Sequence, residues 1–404
     1  MTFKTLQRII QPIDLEIKLP ASKSISNRAL ILNALAYSPH DIENLAVCDD
    51  TDTMVRALDS NDTLFDVGAA GTAMRFLTAF LAKTVGEWVI TGSDRMKERP
   101  IKLLVDALNQ LGGKITYIEK EGYPPLRIYG SALMGGEIGM DGGVSSQYIS
   151  ALMMIAPYMQ NGLKIILQGN VISLPYILMT KKMMEDFGVT VNLEANIIDI
   201  RPQTYKPIPY RIEPDWSAAS YWYEVLAVAG KGSIILKGLQ KESMQGDSQV
   251  AEIFKQLDVA TEYQADGIRL TATDNRCKML TYDFVEQPDL VQTVAVTCCL
   301  KNIPFHFRGV QSLKIKETNR VAALIRELKK LGYVLIEPKE GELAWAGLTT
   351  DTGNSCTTII STYDDHRMAM AFAAVALQQP IKIANPEVVN KSYPNFWEDF
   401  SQLS

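Results

Sequence analysis

Two kinds of segment alternate along this chain, and the alternation limits its possible folds more than any other feature. The first kind opens on small or polar residues, runs on as an apolar helix and leads into a strand. It occurs six times: PASKSISNRALILNALA, GAAGTAMRFLTAFLA, GVSSQYISALMMIAP, PDWSAASYWYEVLAVAG, QPDLVQTVAVTCCL and YDDHRMAMAFAAVAL. Marked by Ser24, Gly71, Ser145, Asp215, Asp289 and Asp365, the copies lie 47, 74, 70, 74 and 76 residues apart. A period that regular signals copies of one supersecondary unit, the first copy being short. A segment apolar on nearly every side, such as Ala369–Leu377, has to be buried.

The second kind is amphipathic, with apolar residues at i, i+3, i+4 and i+7, and ends at a glycine before a strand. RPIKLLVDALNQLGGKITY, LPYILMTKKMMEDFGVTV and NRVAALIRELKKLGYVLI show it; SQVAEIFKQLDVATEY keeps the pattern without the glycine. Glycine closes such helices because it enters the left-handed region without steric cost. Short β-branched runs, KIIL from Lys164 and GSIILKG from Gly232, read as strands. The chain therefore reads as six α/β units. Its 404 residues suit two domains of three units. The proline-rich stretch RPQTYKPIPYRIEPDW, residues 201–216, marks the break.

Composition removes several classes of function. The chain carries 40 Lys and Arg against 46 Asp and Glu, net −6, so it lacks the bulk positive charge of a nucleic-acid coat. No apolar run approaches the roughly 18 residues of a membrane span. The N-terminal MTFKTLQRIIQPIDLE has no apolar core followed by a small-residue cleavage site and does not read as a signal peptide. Cys48, Cys277, Cys298, Cys299 and Cys356 form no C-x-x-C pair and read as free thiols of a reducing cytoplasm. The isolation of His40, His306 and His366 argues against a histidine zinc site. Lys23-Ser24 lacks the glycines of a phosphate-binding loop, and no G-x-G-x-x-G opens a helix. An enzyme of this sequence is expected to work with side chains alone, with no metal and no cofactor.

The starts of the six apolar helices are the candidate site. Ser, Thr and Asp there can act simply as N-caps. Repetition adds a second possibility, because several helix N-termini turned toward one cavity favour phosphates and carboxylates. Basic residues cluster at these starts and in tight loops: Lys23, Arg28, Arg75, the Arg95, Lys97 and Arg99 of RMKERP, the Lys314, Lys316 and Arg320 of KIKETNR, Arg367 and Lys391. Arg forks grip carboxylate or phosphate in a bidentate way, and Lys serves as a mobile charge or proton donor.

Taken together, KLPASKSISNRAL, GTAMR, RMKERPI, VSSQ, SLPY, KIKETNR and YDDHRMAM, in order from Lys18 to about Pro394, closely resemble the EPSP synthase family of enolpyruvyl transferases. The resemblance implies an α/β fold of two domains, each of three βαβαββ units arranged as an inside-out α/β barrel, closing over substrates in the cleft. It places residues 21–213 in the N-terminal domain, and 1–20 with 214–404 in the C-terminal one, which the first strand completes. It implies a cytoplasmic, monomeric enzyme of aromatic amino-acid and chorismate biosynthesis, the glyphosate target, with no nucleic-acid or membrane partner. Its substrates are shikimate 3-phosphate and phosphoenolpyruvate. The shikimate 5-hydroxyl adds to the enol carbon, the methylene gains a proton, and the ketal then loses a proton and phosphate.

Carried over by position, Lys23, Ser24 and Arg28 resemble the shikimate-phosphate cluster, with Ser145, Ser146 and Ser173 as further phosphate binders. Gln147 is implied to reach both substrates and Tyr176 to lie against the shikimate ring. Ser312 and Lys316 are implied on the shikimate side as well. Lys23, Gly71, Arg99, Arg320, Arg367 and Lys391 are implied to hold phosphoenolpyruvate. Asp289 resembles the base for the 5-hydroxyl, with N-capping after Pro288 as the alternative. Glu317 and Lys23 are the candidates for proton traffic at the methylene carbon. A carboxylate between Lys316 and Arg320 should ionise easily, which suits Glu317 to the elimination half and Lys23 to the addition half. His366 is a site residue or a structural histidine.

Two positions depart from the family pattern: Ala69 stands where an asparagine is common, and Ser312 where many members have asparagine. The first loses a hydrogen bond toward phosphoenolpyruvate, and the second needs a water to reach the ring. The related UDP-N-acetylglucosamine enolpyruvyl transferases would carry a reactive cysteine in the loop that here reads SDRMKERPI. A non-catalytic anion binder would have lost Lys23, Asp289 or Glu317. Outside the assigned site, 33 basic residues face 44 acidic ones: an acidic body around a cationic cavity.

Overall fold

A computed structural model of the chain describes residues 2–10, 12–143, 145–275, 277–351 and 357–403. Contacts divide it into two compact units, Ala21–Ile212 and a discontinuous unit of Met1–Pro20 with Glu213–Ser404.

In the unit Ala21–Ile212, helices Lys23–Leu35, Gly71–Lys83 and Ser146–Ile155 pack on one another. They are buried because they carry few groups that need water: in Ser146–Ile155 every residue but Gln147 is buried. Fully burying one Leu or Ile side chain stabilises by about 1.5–3 kcal/mol, so these helices are the structural centre of the unit. Two four-stranded sheets flank them. One runs Leu64–Asp66, Gly86–Thr91, Leu126–Gly130, Lys114–Tyr117; the other Gly136–Asp141, Leu163–Gln168, Ile197–Ile200, Asn192–Glu194. In each, the first pair is parallel and the other two are antiparallel. The chain order in both is strand, buried helix, strand, outer helix, hairpin, since a parallel pair needs a crossover and a helix supplies it. Ile165 sits between Ile138 and Ile198 across three strands, and all three face the core. The earliest part of the unit has only a short parallel pair, Ile42–Glu43 with Tyr210–Arg211.

The other unit repeats the scheme. Helices Trp216–Ala229, Val291–Leu300 and His366–Ala373 pack mutually. The sheet Asp14–Lys18, Ser233–Lys237, Gly267–Ala272, Val259–Gln264 has the same order and the same pairing directions. Leu280–Asp283, Phe305–Arg308 and Leu343–Trp345 form a second sheet. In the third, the N-terminal strand Phe3–Leu6 pairs antiparallel with Ile381–Ala384, beside Thr358–Ile360. The fold is mixed α/β with several small sheets.

Two local features refine the sequence reading. The amphipathic helices end at Gly112, Gly188 and Gly332, with φ of +100°, +83° and +94°. Where SQVAEIFKQLDVATEY lacks the glycine, Asp258 takes φ +70° in its stead. Its carboxylate accepts the Asn275 N–H at 2.7 Å and pairs with Lys301 at 2.9 Å, which offsets the ~1–2 kcal/mol a side chain costs there. The apolar run Ala369–Leu377 is not one helix: the α-helix ends at Ala373, and Ala374–Leu377 tightens into a 3₁₀ turn. Cys48, Cys298 and Cys299 are buried free thiols and Cys277 is half-buried; Cys356 lies outside the described residues. Among the described residues no helix is long and apolar enough to cross a membrane.

Candidate active site

The unit Ala21–Ile212 gathers cations at the starts of its buried helices. Lys23 opens the first helix, and its Nζ lies 3.1 Å from the Oδ2 of buried Asp50. Arg28, five residues further on, is almost wholly buried. It donates to Thr180 Oγ1 (2.7 Å), Ser24 O (2.9 Å), Ser150 Oγ (3.1 Å) and Tyr176 O (3.5 Å). Burial pushes its pKa down to about 10. The Tyr176 ring lies 5.8 Å from the guanidinium. Arg28 therefore ties the helices that carry Ser24, Ser150 and Tyr176, besides contributing charge.

Gly71 begins the second helix, and the Arg99 guanidinium lies directly over it: a Cβ there would stand 2.6 Å from Nη1 and 2.7 Å from Nη2. Arg99 is buried, and its Nε has no hydrogen-bond partner. Its neighbours in RMKERP behave differently. Arg95 pairs with Glu98 and Lys97 with Glu119, both at the surface. Ser145 caps the third helix, its Oγ accepting the Gln147 N–H at 3.4 Å. Gln147 Nε2 reaches Thr72 Oγ1 at 3.3 Å and so links the second and third helix starts. Ser146 is buried beside the cap, and Ser173, with φ +54°, is buried at the start of Leu174–Asp186. The buried charged residues of this unit, among those described, are Arg28, Arg75, Arg99 and Asp50. Three guanidiniums and Lys23 thus face one carboxylate. Buried charge is costly unless compensated, and here positive charge is in excess among the described buried residues.

The other unit holds a denser constellation. Asp289 lies in the turn Pro288–Leu290, just before the buried helix Val291–Leu300. Both its oxygens meet cations: Oδ1 is 3.0 Å from Arg320 Nη1 and 3.9 Å from Lys316 Nζ, and Oδ2 is 2.9 Å from Arg367 Nη2. Burial pushes the Asp289 carboxyl up, but Arg367, Lys316 and Arg320 outweigh it and hold the group well below the usual carboxylate range. Arg320 begins its helix and is the hub. Its Nε is 2.7 Å from Asp365 Oδ2, and its Nη2 lies 2.9 Å from Glu317 Oε2 and 3.3 Å from Asp365 Oδ1. Burial opposes its charge, yet Asp365, Glu317 and Asp289 raise its pKa above the ordinary arginine value.

Glu317 also takes Lys391 Nζ at 3.2 Å. Arg367 reaches Tyr221 Oη at 3.5 Å and the Asp289 carbonyl at 3.2 Å. Asp365 caps the last buried helix through the Arg367 N–H (2.9 Å). The His366 ring, also buried, has Nδ1 3.8 Å from Asp365 Oδ1. Ser312 is half-buried in the turn Gln311–Ile315 that leads to Lys316. Lys314 of KIKETNR instead pairs with Glu337, at 2.7 Å.

The sequence reading named Lys316, Glu317, Arg320, Arg367, Lys391 and Asp289, and the structure brings these six together. It assigned no role to Asp50, Asp365 or Asp247. Asp50 hides among the acids of the helix start DDTDTM, where capping explains them all. Asp365 served only as a repeat marker, and Asp247 lies in a turn without a basic neighbour in sequence. Among the described residues, no three His, Cys, Asp or Glu side chains are arranged to hold a metal ion.

Buried cationic clusters set at helix starts, in mixed α/β units, define a protein built to handle small anions. Comparison with known proteins narrows this. The family model of EPSP synthase (3-phosphoshikimate 1-carboxyvinyltransferase) matches residues 7–60 and 55–400. A 3-phosphoshikimate 1-carboxyvinyltransferase of Bacteroides fragilis is 51% identical over 385 residues, covering 95% of this chain and 93% of that one. One from Vibrio cholerae is 37% identical over 428 residues, covering 98% and 99%. The solved EPSP synthase of Acinetobacter baumannii superposes with a TM-score of 0.78 over 100% of this chain and 98% of that one, at 20% identity, a likeness of fold. The chain belongs to the EPSP synthase family.

Proposed function

We propose that this chain is a 3-phosphoshikimate 1-carboxyvinyltransferase. It transfers the enolpyruvyl group of phosphoenolpyruvate to the 5-hydroxyl of shikimate 3-phosphate and releases phosphate, on the route to chorismate and the aromatic amino acids. The observation that carries the reading is the excess of buried cations in Ala21–Ile212, with Arg99 over Gly71 and no acidic partner to Arg28 or Arg99 among the described ion pairs. Substrates that bring two phosphates and two carboxylates supply that missing charge.

The roles divide by chemistry. Ser24, Ser145, Ser146 and Ser173 offer hydroxyls and helix-start amides to the shikimate phosphate, with Lys23 and Arg28 as its charge. Tyr176 lies along the ring, Lys316 and Gln147 contact its hydroxyls, and Ser312 reaches them through a water. Arg99, Arg320, Arg367, Lys391, Lys23 and the backbone at Gly71 beneath Arg99 take phosphoenolpyruvate. Arg320 already gives most of its fork to Asp289, Glu317 and Asp365, so it serves the substrate partly by holding the two working acids in place. Asp289 accepts the 5-hydroxyl proton as the oxygen bonds to the enol carbon, and Lys23 gives a proton to the methylene. In the second half Glu317 removes a methyl proton as phosphate leaves. His366 steadies the helix start beside Asp365. The cationic rim also stabilises the charge that develops on the phosphate and carboxylate.

Sharing of one sheet order by three sheets supports a reading of the chain as six βαβαββ copies in an inside-out barrel arrangement. On that reading residues 21–213 form one enolpyruvyl-transferase domain, and 1–20 with 214–404 the other. A cytoplasmic monomer is the accompanying proposal.

Mixing the protein with shikimate 3-phosphate and phosphoenolpyruvate and following free phosphate tests the function. Release with that pair is expected. No release with it, but release with UDP-N-acetylglucosamine in place of the shikimate, would overturn the assignment.

Two substitutions probe the roles. Gly71→Ala puts a methyl group against the tip of Arg99, a flexible end that can swing away. Stability should change by less than about 1 kcal/mol, while the KM for phosphoenolpyruvate rises on the order of tenfold. An unchanged KM would show that Arg99 does not hold that substrate. Glu317→Gln keeps shape but loses the base: kcat should fall about 10²-fold or more, with substrate dissociation constants by titration calorimetry nearly unaltered. Unchanged turnover would remove Glu317 from the elimination step.

A further inference from the structure

The segment that delivers Asp365 and Arg367 is strained, and a buried acid outside the roles above holds it. Between the strand Thr358–Ile360 and the helix His366–Ala373 the chain turns at Tyr363 and Asp364, with φ of +55° and +56°. The Asp365 N–H closes this turn on the Thr362 carbonyl at 3.0 Å. Two successive left-handed residues make a tight turn that glycine, asparagine or aspartate usually fills. Asp364 suits it. Tyr363 does not, because a Cβ crowds the following carbonyl there. Such a conformation persists only where the surroundings over-determine it, and it collects at functional sites.

Glu327 supplies the restraint. It lies on the helix Arg320–Lys330 with no exposed side-chain surface. Its Oε1 accepts the Tyr363 hydroxyl at 2.6 Å, and its Oε2 accepts the Ser361 N–H at 2.9 Å and Lys330 Nζ at 2.5 Å. Lys330 also donates to the Ile359 carbonyl at 3.1 Å. Beside these contacts, the Thr362 hydroxyl donates to the Ala384 carbonyl at 3.0 Å. A buried carboxylate is costly, and apolar packing in its place is often as stable, so its use here points to geometry. Glu327 follows Arg320 by seven residues, two helical turns along one face and about 10 Å of rise. Arg320 grips Asp365 at 2.7 Å, and Glu327 grips Ser361 and Tyr363. One helix thus holds the turn on both sides.

We propose that Glu327 is a positioning residue for the transfer reaction: acting through Tyr363, it holds the left-handed turn so that Asp365 meets Arg320 and Arg367 is presented to phosphoenolpyruvate. The proposal rests on the reading that Arg320 and Arg367 hold that substrate. Glu327 touches no substrate and moves no proton. Without its grip the turn relaxes out of the left-handed region and Asp365 draws away from Arg320. Arg367 moves with it, because Asp365 caps the helix through the Arg367 N–H at 2.9 Å. The residues proposed for the shikimate phosphate belong to the unit Ala21–Ile212 and keep their contacts.

Tyr363→Phe tests this in the full chain, since it removes one hydroxyl and keeps the ring. The KM for phosphoenolpyruvate is expected to rise on the order of tenfold, the lower end for losing a hydrogen bond to a charged group. The dissociation constant of shikimate 3-phosphate alone, by titration calorimetry, should stay within about twofold of native. Glu327→Ala should raise that KM at least as far. Glu327→Gln should bring it back to within about twofold of native, because the amide still accepts the Ser361 N–H and donates to the Tyr363 oxygen, although the charge opposite Lys330 is gone. An acid that only stabilises the fold would lower the melting temperature and affect both substrates alike or neither. That result, or a Glu327→Gln as poor as Glu327→Ala, overturns the proposal. If Glu327→Ala does not fold, Tyr363→Phe decides, and an unmoved KM there overturns the proposal. Arg367→Ala separates the two levels. A native KM for phosphoenolpyruvate in that variant would remove the clamp itself, whereas a raised one beside an unmoved KM in Tyr363→Phe would sink only the role of Glu327.

Discussion

Replacing Asp289 by alanine is expected to lower kcat for phosphate release by about 10²–10⁴-fold, the usual worth of a positioned general base. The effect should exceed that of losing a single binding contact, because Asp289 is also the shared acceptor of Arg320, Arg367 and Lys316. Without it three cations crowd one another without their shared acceptor, and the residues proposed to clamp phosphoenolpyruvate shift. Asp289→Asn separates the two consequences. It keeps two polar atoms near Arg320 and Arg367 but cannot take a proton, so its kcat should stay low while substrate binding recovers. Near-normal turnover in either variant, measured by phosphate release with both substrates saturating, would remove the role of base.

Arg320→Ala should be the most destabilising single change in the site. The guanidinium holds three carboxylates, one of them Asp365 with no exposed side chain. Removing one partner of a buried pair leaves an uncompensated charge and costs about 3–5 kcal/mol, or on the order of 10 °C in melting temperature for a unit of this size. Arg320→Lys keeps the charge but not the planar fork. It should recover part of the stability and little of the turnover, because the Asp289 and Glu317 carboxylates lose their fixed angle. Melting curves for the three proteins check this; a variant Arg320→Ala that melts within about 2 °C of native would show that the cluster is not a stabilising hub. The pH dependence has a definite sign. The Asp289 carboxyl is lower in the folded state than in the unfolded chain. Its contribution is complete above the ordinary aspartate value of about 4 and is lost as pH falls toward the depressed folded value. The native protein should therefore lose more stability on acidification below about pH 4 than Arg320→Ala does.

Much of the site was legible because its residues lie in short, locally ordered strings. Lys316, Glu317 and Arg320 share one segment, and Arg320 meets Glu317 three residues away at a helix start. Ser145 was readable both as an N-cap and as a phosphate ligand, and it does cap. The buried helices announced themselves by lacking a polar face, and the outer helices by their terminal glycines. Less legible was Arg28. Its position suggested a phosphate ligand, yet its donors join Thr180 and Ser150, which lie 152 and 122 residues away in the chain. The surface charges of RMKERP had the same sequence signature as Arg99; only burial tells them apart.

By itself, then, the sequence determined the alternation of buried and outer helices, the places where they end, the likeness to one family and the set of charged side chains available. These are local properties, set by periodicity, capping and residue type over a few turns of chain. Only the tertiary structure decided which charges meet. Asp289 reaches Arg320 across 31 residues and Arg367 across 78, and Arg320 reaches Asp365 across 45. Such pairings follow from how the starts of two buried helices and one outer helix come together, and no local pattern encodes that. Contact decided the charge as well: Arg367, Lys316 and Arg320 hold the Asp289 carboxyl well below the usual range against the upward push of burial, which the sequence alone does not distinguish from any other aspartate.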